Sequence, residues 1–227
     1  MTMTSAATSP TVSNGLVLRK LLPAAFALLA GLYIFLDAAG GQALWMPALK
    51  AAPIAVLGIM AALMLRGVTR TLTLVALAFS ALGDVLLALD FPLQFVMGLA
   101  AFLIAQVVYA ANFLRGAQFR SQRFAMRALP LLLATSLLAS QLLPAATELA
   151  PAVLCYLLAI TAMALAAAAH RGNSGLLYAG AIIFVVSDTL IAVNRFLLPL
   201  PLAGTAIMVT YYGAQLALLY GIGRARA

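Results

Sequence analysis

The sequence has few of the residues on which most soluble enzymes depend. Only 8% of its 227 residues are charged, and it contains one histidine and one cysteine; soluble domains carry about 25% charged residues. The lone Cys155 excludes an internal disulfide, and the lone His170 excludes the histidine cluster of a zinc hydrolase. A Walker loop and a GxSxG nucleophile elbow are also missing from the sequence. We therefore expect neither a metal nor a cofactor.

Hydrophobic residues make up 66% of the chain, and the mean hydropathy is +1.13. Since a membrane span needs about 20 mainly apolar residues, this composition predicts an all-α, polytopic membrane bundle of about eight transmembrane helices. The predicted spans are about 21–37, 44–65, 71–89, 93–114, 128–143, 150–169, 175–197 and 203–222. Residues 1–18 are expected to form a short, disordered cytoplasmic tail, and residues 19–227 a single transmembrane domain.

The net charge of +8 is better explained by topology than by nucleic-acid binding. On alternate sides of the predicted spans lie an inner basic set and an outer acidic set, which follows the positive-inside rule. The inner set is Arg19, Lys20, Arg66, Arg70, Arg115, Arg120, Arg123, Arg127, Arg171, Arg224 and Arg226; the outer set is Asp37, Asp90 and Glu148. We expect the protein to lie in a bacterial cytoplasmic (inner) membrane with both termini in the cytoplasm. Its partners are expected to include membrane lipid and no nucleic acid.

Two aspartates, Asp84 and Asp188, interrupt apolar runs in matching contexts. Residues 83–90 and 187–194 share one pattern: a small residue, Asp, any residue, Leu, Leu or Ile, Ala, Leu or Val, then Asp or Asn. An aspartate at membrane depth costs roughly 2.5–3.5 kcal/mol even on lenient insertion scales, so a function is expected for it. The copies lie four spans apart and run in the same direction. They predict a 4+4 parallel internal repeat that brings the two carboxyls together in one site.

Other polar residues within the spans share helical faces and should point to a common interior. Lys50 and Arg195 supply cations towards the outer side, although either can snorkel to the interface instead. Arg195 is seven residues after Asp188, which makes Asp188 the better candidate for an ionised carboxylate; which aspartate is the acid stays open. The remaining candidates for substrate binding are Ser80, Gln106, Tyr109, Asn194, Tyr211, Tyr212 and Gln215. The tyrosines and glutamines among them can instead form hydrogen bonds between helices.

The chain resembles the YhhN-like lysoplasmalogenases, a family of multispan membrane hydrolases. The matching stretches are 79–88, 98–102 with Tyr109, 181–196 and 211–215, together with Lys50 and Pro53 in the second span. The first, fifth and sixth spans match only in hydrophobicity. Many members of the family carry histidine where this chain has Gln106, so the resemblance implies no proton transfer at that position.

The resemblance implies hydrolysis of the vinyl-ether bond of lysoplasmalogens to a fatty aldehyde and glycerophosphoethanolamine or glycerophosphocholine. Two carboxyl groups suit this reaction, since one protonates the alkenyl carbon and the other stabilises the cation and orients water. Lys50 and Arg195 would bind the phosphate of the lysophospholipid. A different class also fits the paired aspartates, namely a proton-coupled transporter or lipid flippase.

Overall fold

The computed structural model describes Gly15 and residues 20–225; the predicted tail, apart from Gly15, lies outside the described residues, as do Arg19 and Arg226. Eight α-helices follow one another along this part of the chain. They are α1 (Leu22–Ala38), α2 (Met46–Met64), α3 (Gly67–Ala88), α4 (Gln94–Leu114), α5 (Gln122–Ala146), α6 (Ala150–Ala169), α7 (Gly175–Phe196) and α8 (Ala203–Ala225). A short 3₁₀ turn, Thr147–Leu149, connects α5 to α6.

The predicted all-α membrane class is confirmed, although the count of spans depends on how α5 and α6 are treated. Between residues 20 and 225, six helical stretches are long and apolar enough to cross a membrane, and α1 is apolar but only 17 residues long. One of the six is the 48-residue stretch Gln122–Ala169, which contains α5, the 3₁₀ turn and α6. The protein is therefore an integral, multi-pass membrane protein. Its described residues contain seven apolar helical stretches, and the stretch Gln122–Ala169 consists of two helices.

The stretch Gln122–Ala169 folds back on itself. At about 1.5 Å per residue a straight helix of this length would be about 72 Å long, more than twice the ~30 Å hydrocarbon core. Thr147 adopts φ 48°, which breaks the helix between α5 and α6. The Arg123 guanidinium at the start of α5 donates to the carbonyl of Gly172, just after α6, at 3.2 Å. Because the start of α5 lies beside the end of α6, the two helices run antiparallel.

The fifth predicted span, 128–143, is shorter than the helix found there. The Ser121 hydroxyl caps α5 by accepting from the Phe124 backbone N–H at 3.1 Å, so the helix begins at Gln122. Arginines in its first two turns lower the hydropathy of this part, and the helix also contains Pro130 and Pro144. Hydropathy therefore detects the apolar middle of α5 and misses its polar first turns.

The two ends of the bundle differ in charge. At one end, here called the basic end, Arg115, His170 and Arg171 line a cavity beside Ala225, and Arg127 donates to Ser174 Oγ at 3.1 Å. At the opposite, acidic end, Asp37 and Asp90 line a second cavity. The structure thus gathers at separate ends the charges that the sequence assigns to opposite sides of the membrane.

Close helix packing brings α7 and α8 together in the interior. A Cβ atom added to Gly180 of α7 would lie 2.8 Å from the backbone nitrogen of Leu218 in α8. Small residues of this kind allow membrane helices to approach at backbone distance. As a result the buried faces of α7 and α8 meet α3 and α4 in one core that includes Phe102, Phe184 and Tyr211.

Candidate active site

Asp84 lies in α3 inside the bundle, with only 2% of its surface exposed. The Tyr211 hydroxyl of α8 donates a hydrogen bond to its Oδ2 at 2.8 Å. The Tyr211 ring is held by edge-to-face contacts with Phe102 and Phe184, at centroid distances of 5.7 and 5.6 Å. The carboxyl of Asp84 is therefore oriented by a donor that packing on both sides holds in position.

A chain of hydrogen bonds lies next to this pair. The Tyr109 hydroxyl of α4 donates to Gln215 Oε1 at 2.8 Å, and Gln215 Nε2 donates to Ser80 Oγ at 3.0 Å. All three side chains are buried. Because the amide of Gln215 uses both its donor and its acceptor, the network joins α3, α4 and α8 without leaving that group unsatisfied.

Asp188 has different surroundings. Its Oδ2 accepts a hydrogen bond from the Tyr156 hydroxyl of α6. Its carboxyl lines a cavity, here called the apolar cavity, whose walls come from α3, α4, α5, α6 and α7 and include Phe95, Leu142 and Phe196. Apart from Asp188, Tyr156 and Thr189, the side chains around this cavity are aliphatic or aromatic. Asp188 therefore presents a carboxyl to a space suited to a hydrocarbon chain.

The two aspartates lie close enough to interact electrostatically. Gln106 of α4 is fully buried near them, and its amide approaches the carboxyl of Asp188 and the hydroxyl of Tyr156. Within the described part of the chain, neither amide atom forms a hydrogen bond of regular geometry. Buried amides are normally hydrogen-bonded. The amide of Gln106 is therefore available beside Asp188 both to donate and to accept a hydrogen bond.

Lys50 of α2 faces a cavity at the acidic end, here called the polar vestibule. Tyr33, Asp37 and Asp90 also line it. Lys50 interacts electrostatically with Asp84, so the vestibule and the buried aspartate are neighbours. The Tyr212 hydroxyl donates to the backbone carbonyl of Lys50 at 2.7 Å, and thus Tyr212 ties the turn that carries Lys50 to α8.

Two predicted site residues lie away from this cluster. The Asn194 side chain accepts from the backbone N–H of Leu200 at 2.8 Å and so stabilises the loop between α7 and α8. The guanidinium of Arg195 is exposed and lies 5.1 Å from the centre of the Phe95 ring. Because Phe95 lines the apolar cavity, Arg195 is near its rim and not beside Asp188, where helical spacing had suggested it.

Tyr156 is the polar side chain that the sequence reasoning missed. It belongs to the sixth span, for which hydrophobicity was the sole resemblance to the family. A signal was nevertheless present, because tyrosines in membrane helices are enriched at the interfaces, whereas Tyr156 is six residues into α6.

Among the residues that the structure describes, no three His, Cys, Asp or Glu side chains group together as metal ligands.

Comparison with known proteins gives a family match and several relatives. The profile of the YhhN family matches residues 45–222. Lysoplasmalogenase TMEM86B of Sus scrofa is 32% identical over 149 residues, which is 66% of this chain and 62% of that protein. Lysoplasmalogenase TMEM86B of Homo sapiens is 35% identical over 62% of this chain and 58% of its own length.

Lysoplasmalogenase TMEM86A of Homo sapiens is 31% identical over 63% of this chain and 61% of its own length. The matched part of the chain thus spans about three fifths of the length of these curated relatives. No solved structure matches the chain.

Proposed function

The chain belongs to the YhhN family, and we propose that it is a lysoplasmalogenase. It hydrolyses the vinyl-ether bond of alkenyl-glycerophosphoethanolamine or alkenyl-glycerophosphocholine to a fatty aldehyde and the corresponding glycerophosphodiester. The names of its relatives support this activity. The observation that carries the proposal is a pair of neighbouring aspartates, of which Asp188 faces an apolar cavity and the buried Asp84 lies beside a polar vestibule.

Asp188 is proposed as the proton donor. Vinyl-ether hydrolysis begins when a proton is added to the alkenyl carbon one bond away from the carbon that carries the oxygen, and this leaves an oxocarbenium ion. The alkenyl carbons belong to the hydrocarbon chain, for which the apolar cavity is the suitable space. Because Asp188 is the carboxyl that lines this cavity, it is the better placed of the two to deliver the proton.

Asp84 is proposed to stabilise the oxocarbenium cation, and Gln106 is proposed to orient the water that attacks it. A carboxylate beside the oxocarbenium carbon stabilises its positive charge, as in glycoside hydrolysis. The amide of Gln106, beside Asp188, orients a water molecule that adds to this carbon and returns a proton to Asp188. The resulting hemiacetal breaks its bond to the glycerol oxygen, which takes up the hydroxyl proton. The products are the aldehyde and the free glycerol hydroxyl.

The polar part of the lysophospholipid is proposed to lie in the vestibule. Lys50 binds the phosphate there, since an ammonium group next to a phosphate forms charge-assisted hydrogen bonds. Tyr212 holds the backbone of Lys50 in place. Arg195, at the rim of the apolar cavity, is exposed, and its contribution to phosphate binding is proposed to be smaller.

The assay that tests the function is aldehyde release from purified protein. Alkenyl-lysophospholipid should yield aldehyde and glycerophosphodiester in equal amounts, whereas the saturated alkyl-ether analogue should yield neither. Equal release from both substrates, or from neither, would contradict the vinyl-ether mechanism. In proteoliposomes, proton-coupled movement of lysolipid without aldehyde would indicate the transporter instead.

The protein is proposed to lie in the bacterial inner membrane with both termini in the cytoplasm. The basic end of the bundle then faces the cytoplasm. The separation of Arg115 and Arg171 from Asp37 and Asp90 supports this orientation, because basic loops face the cytoplasm. Reporter fusions after Arg120 and at the C-terminus should therefore report the cytoplasm, and a fusion near Gly40 the outer side. An outward-facing loop at Arg120 would reverse the proposed position of the vestibule.

A further inference from the structure

The polar vestibule contains charges of both signs, although the proposed chemistry uses only one of them. Lys50, Asp37 and Asp90 line the same cavity together with Tyr33. Positive-inside topology explains why acids are tolerated at this end of the bundle, but it does not require them to face a cavity. Glu148, the third acid assigned to this side, is exposed on the 3₁₀ turn and does not line the vestibule.

Asp37 is held in a defined position within the vestibule. The Tyr33 hydroxyl, one turn earlier in α1, donates to its Oδ1 at 3.3 Å. Its Oδ2 lies against Gly204 at the start of α8, where an added Cβ would be 2.9 Å away. Asp37 is half-buried and Asp90 is exposed. Asp37 is therefore the more ordered of the two carboxylates and the better placed to bind a ligand.

The vestibule and the apolar cavity are adjacent. Leu87, one turn after Asp84 in α3, lines both of them. It packs against Gly98 of α4, where a Cβ would come within 2.6 Å of the leucine side chain. A lipid with its chain in the apolar cavity and its head group in the vestibule therefore passes Leu87, next to Asp84.

We propose that Asp37 binds the ammonium group of a zwitterionic lysophospholipid while Lys50 binds its phosphate. The proposal rests on the proposed function and names the head group of its substrate. A carboxylate attracts both a primary and a quaternary ammonium group, so this site accepts ethanolamine and choline lipids alike. The adjacent Tyr33 ring adds an aromatic surface suited to a quaternary ammonium. A lysolipid without the ammonium gains nothing from Asp37.

The test compares three alkenyl-lysolipids with the purified full chain: those with ethanolamine, with choline and with a bare phosphate. Asp37→Asn should raise KM about threefold to fivefold for both zwitterionic lipids, as expected for one partly exposed charge contact. It should leave kcat, and KM for the bare phosphate lipid, within twofold of wild type. Asp37→Glu should restore the preference in part, and Glu148→Gln should change nothing.

Binding of the saturated alkyl-ether analogues separates this inference from the proposed function. Trp45, the single tryptophan, stands between the vestibule residues Leu44 and Met46, so its fluorescence reports occupancy without hydrolysis. Wild type should bind the two zwitterionic analogues more tightly than the bare phosphate analogue, and Asp37→Asn should remove the difference. If Asp37→Asn weakens all three equally, weakens none or lowers kcat for all, the assignment of Asp37 is wrong, whether or not aldehyde is released.

Discussion

The two aspartates occupy almost the same sequence pattern and very different surroundings. Asp84 is enclosed, accepts a hydrogen bond from Tyr211 and interacts electrostatically with Lys50. Asp188 faces the apolar cavity, hydrogen-bonded to Tyr156. The neighbouring helices, and not the local sequence, thus distinguish the two carboxyls. A repeated motif can therefore supply two chemically different groups when other helices complete each site.

The hydrogen-bond donors to the two aspartates do not follow the proposed repeat. In a 4+4 repeat α4 corresponds to α8, and α2 to α6. Asp84 of α3 receives its hydrogen bond from α8, whereas Asp188 of α7 receives its own from α6. The donors therefore come from helices that are not equivalent. The repeat stays a prediction, and the symmetry of the motif does not extend to the hydrogen bonds around it.

The largest effect is expected from removal of either carboxyl. Asp84→Asn and Asp188→Asn should each lower kcat about 10²–10⁴-fold, the usual contribution of a general acid–base group. The double variant should lose little more, because the pair acts as a unit. Aldehyde release measures this, with Glu148→Gln as the matched loss of an acid elsewhere. A folded single variant with near-normal turnover would show that its aspartate is structural.

The second-largest effect is expected when the Tyr156 or Tyr211 hydroxyl, each of which donates to an aspartate, is removed. A hydrogen bond to a charged group is worth about 1.5–3 kcal/mol. Because Asp84 acts as a carboxylate and Asp188 becomes one as it gives up its proton, Tyr156→Phe and Tyr211→Phe should each lower kcat about tenfold to a hundredfold. Tyr211→Phe should also lower Tm more, since it leaves Asp84 enclosed without its donor. Kinetics and thermal unfolding of both variants measure the contrast. A larger loss of Tm in Tyr156→Phe would reverse the comparison between the enclosed and the open carboxyl.

A smaller effect, on KM, is expected when Lys50 or Arg195 is replaced. Lys50→Met should raise KM about tenfold, because it removes a charge-assisted contact to phosphate. Arg195→Met should raise KM less than about fivefold, as is usual for an exposed charge. Both are measured with the bare phosphate lipid, which removes any contribution of Asp37. Equal losses in the two variants would indicate that the phosphate lies between the cavities instead of in the vestibule.

The smallest effect is expected from chelation. Asp84 and Asp188 are proposed to act without a metal, so prolonged treatment with a chelator should leave aldehyde release within about twofold of the untreated enzyme. Activity is followed before treatment, after it and after addition of Zn²⁺. Loss on chelation with recovery on Zn²⁺ would replace the acid–base roles of both aspartates with metal ligation.

Much of the site was predictable because lipid cannot form hydrogen bonds with the polar side chains of apolar helices. Asp84, Ser80 and Gln215 interrupt hydrophobic runs, and a buried partner satisfies each of them more readily than lipid does. The structure brings these three together with Tyr109 and Tyr211. For these residues, the polarity of the side chain was enough to indicate which face of the helix points inwards.

The rest depended on neighbours that spacing along one helix does not reveal. Arg195 shares a face with Asp188, yet its guanidinium lies over Phe95 of another helix. Tyr156 is one tyrosine in an apolar span, and its importance comes from contact with Asp188 across a helix boundary. Both contacts are tertiary, so they follow from how the helices pack and not from the sequence of either helix alone.

The position of Leu87 between the two cavities has a consequence for the products. Cleavage of the vinyl ether would separate the molecule near this side chain, with the aldehyde on the apolar side and the glycerophosphodiester on the polar side. The aldehyde then partitions into the bilayer, while the diester diffuses into water. Since the two products enter different phases, recombination is negligible, and added diester should inhibit the enzyme by competing for the vestibule alone.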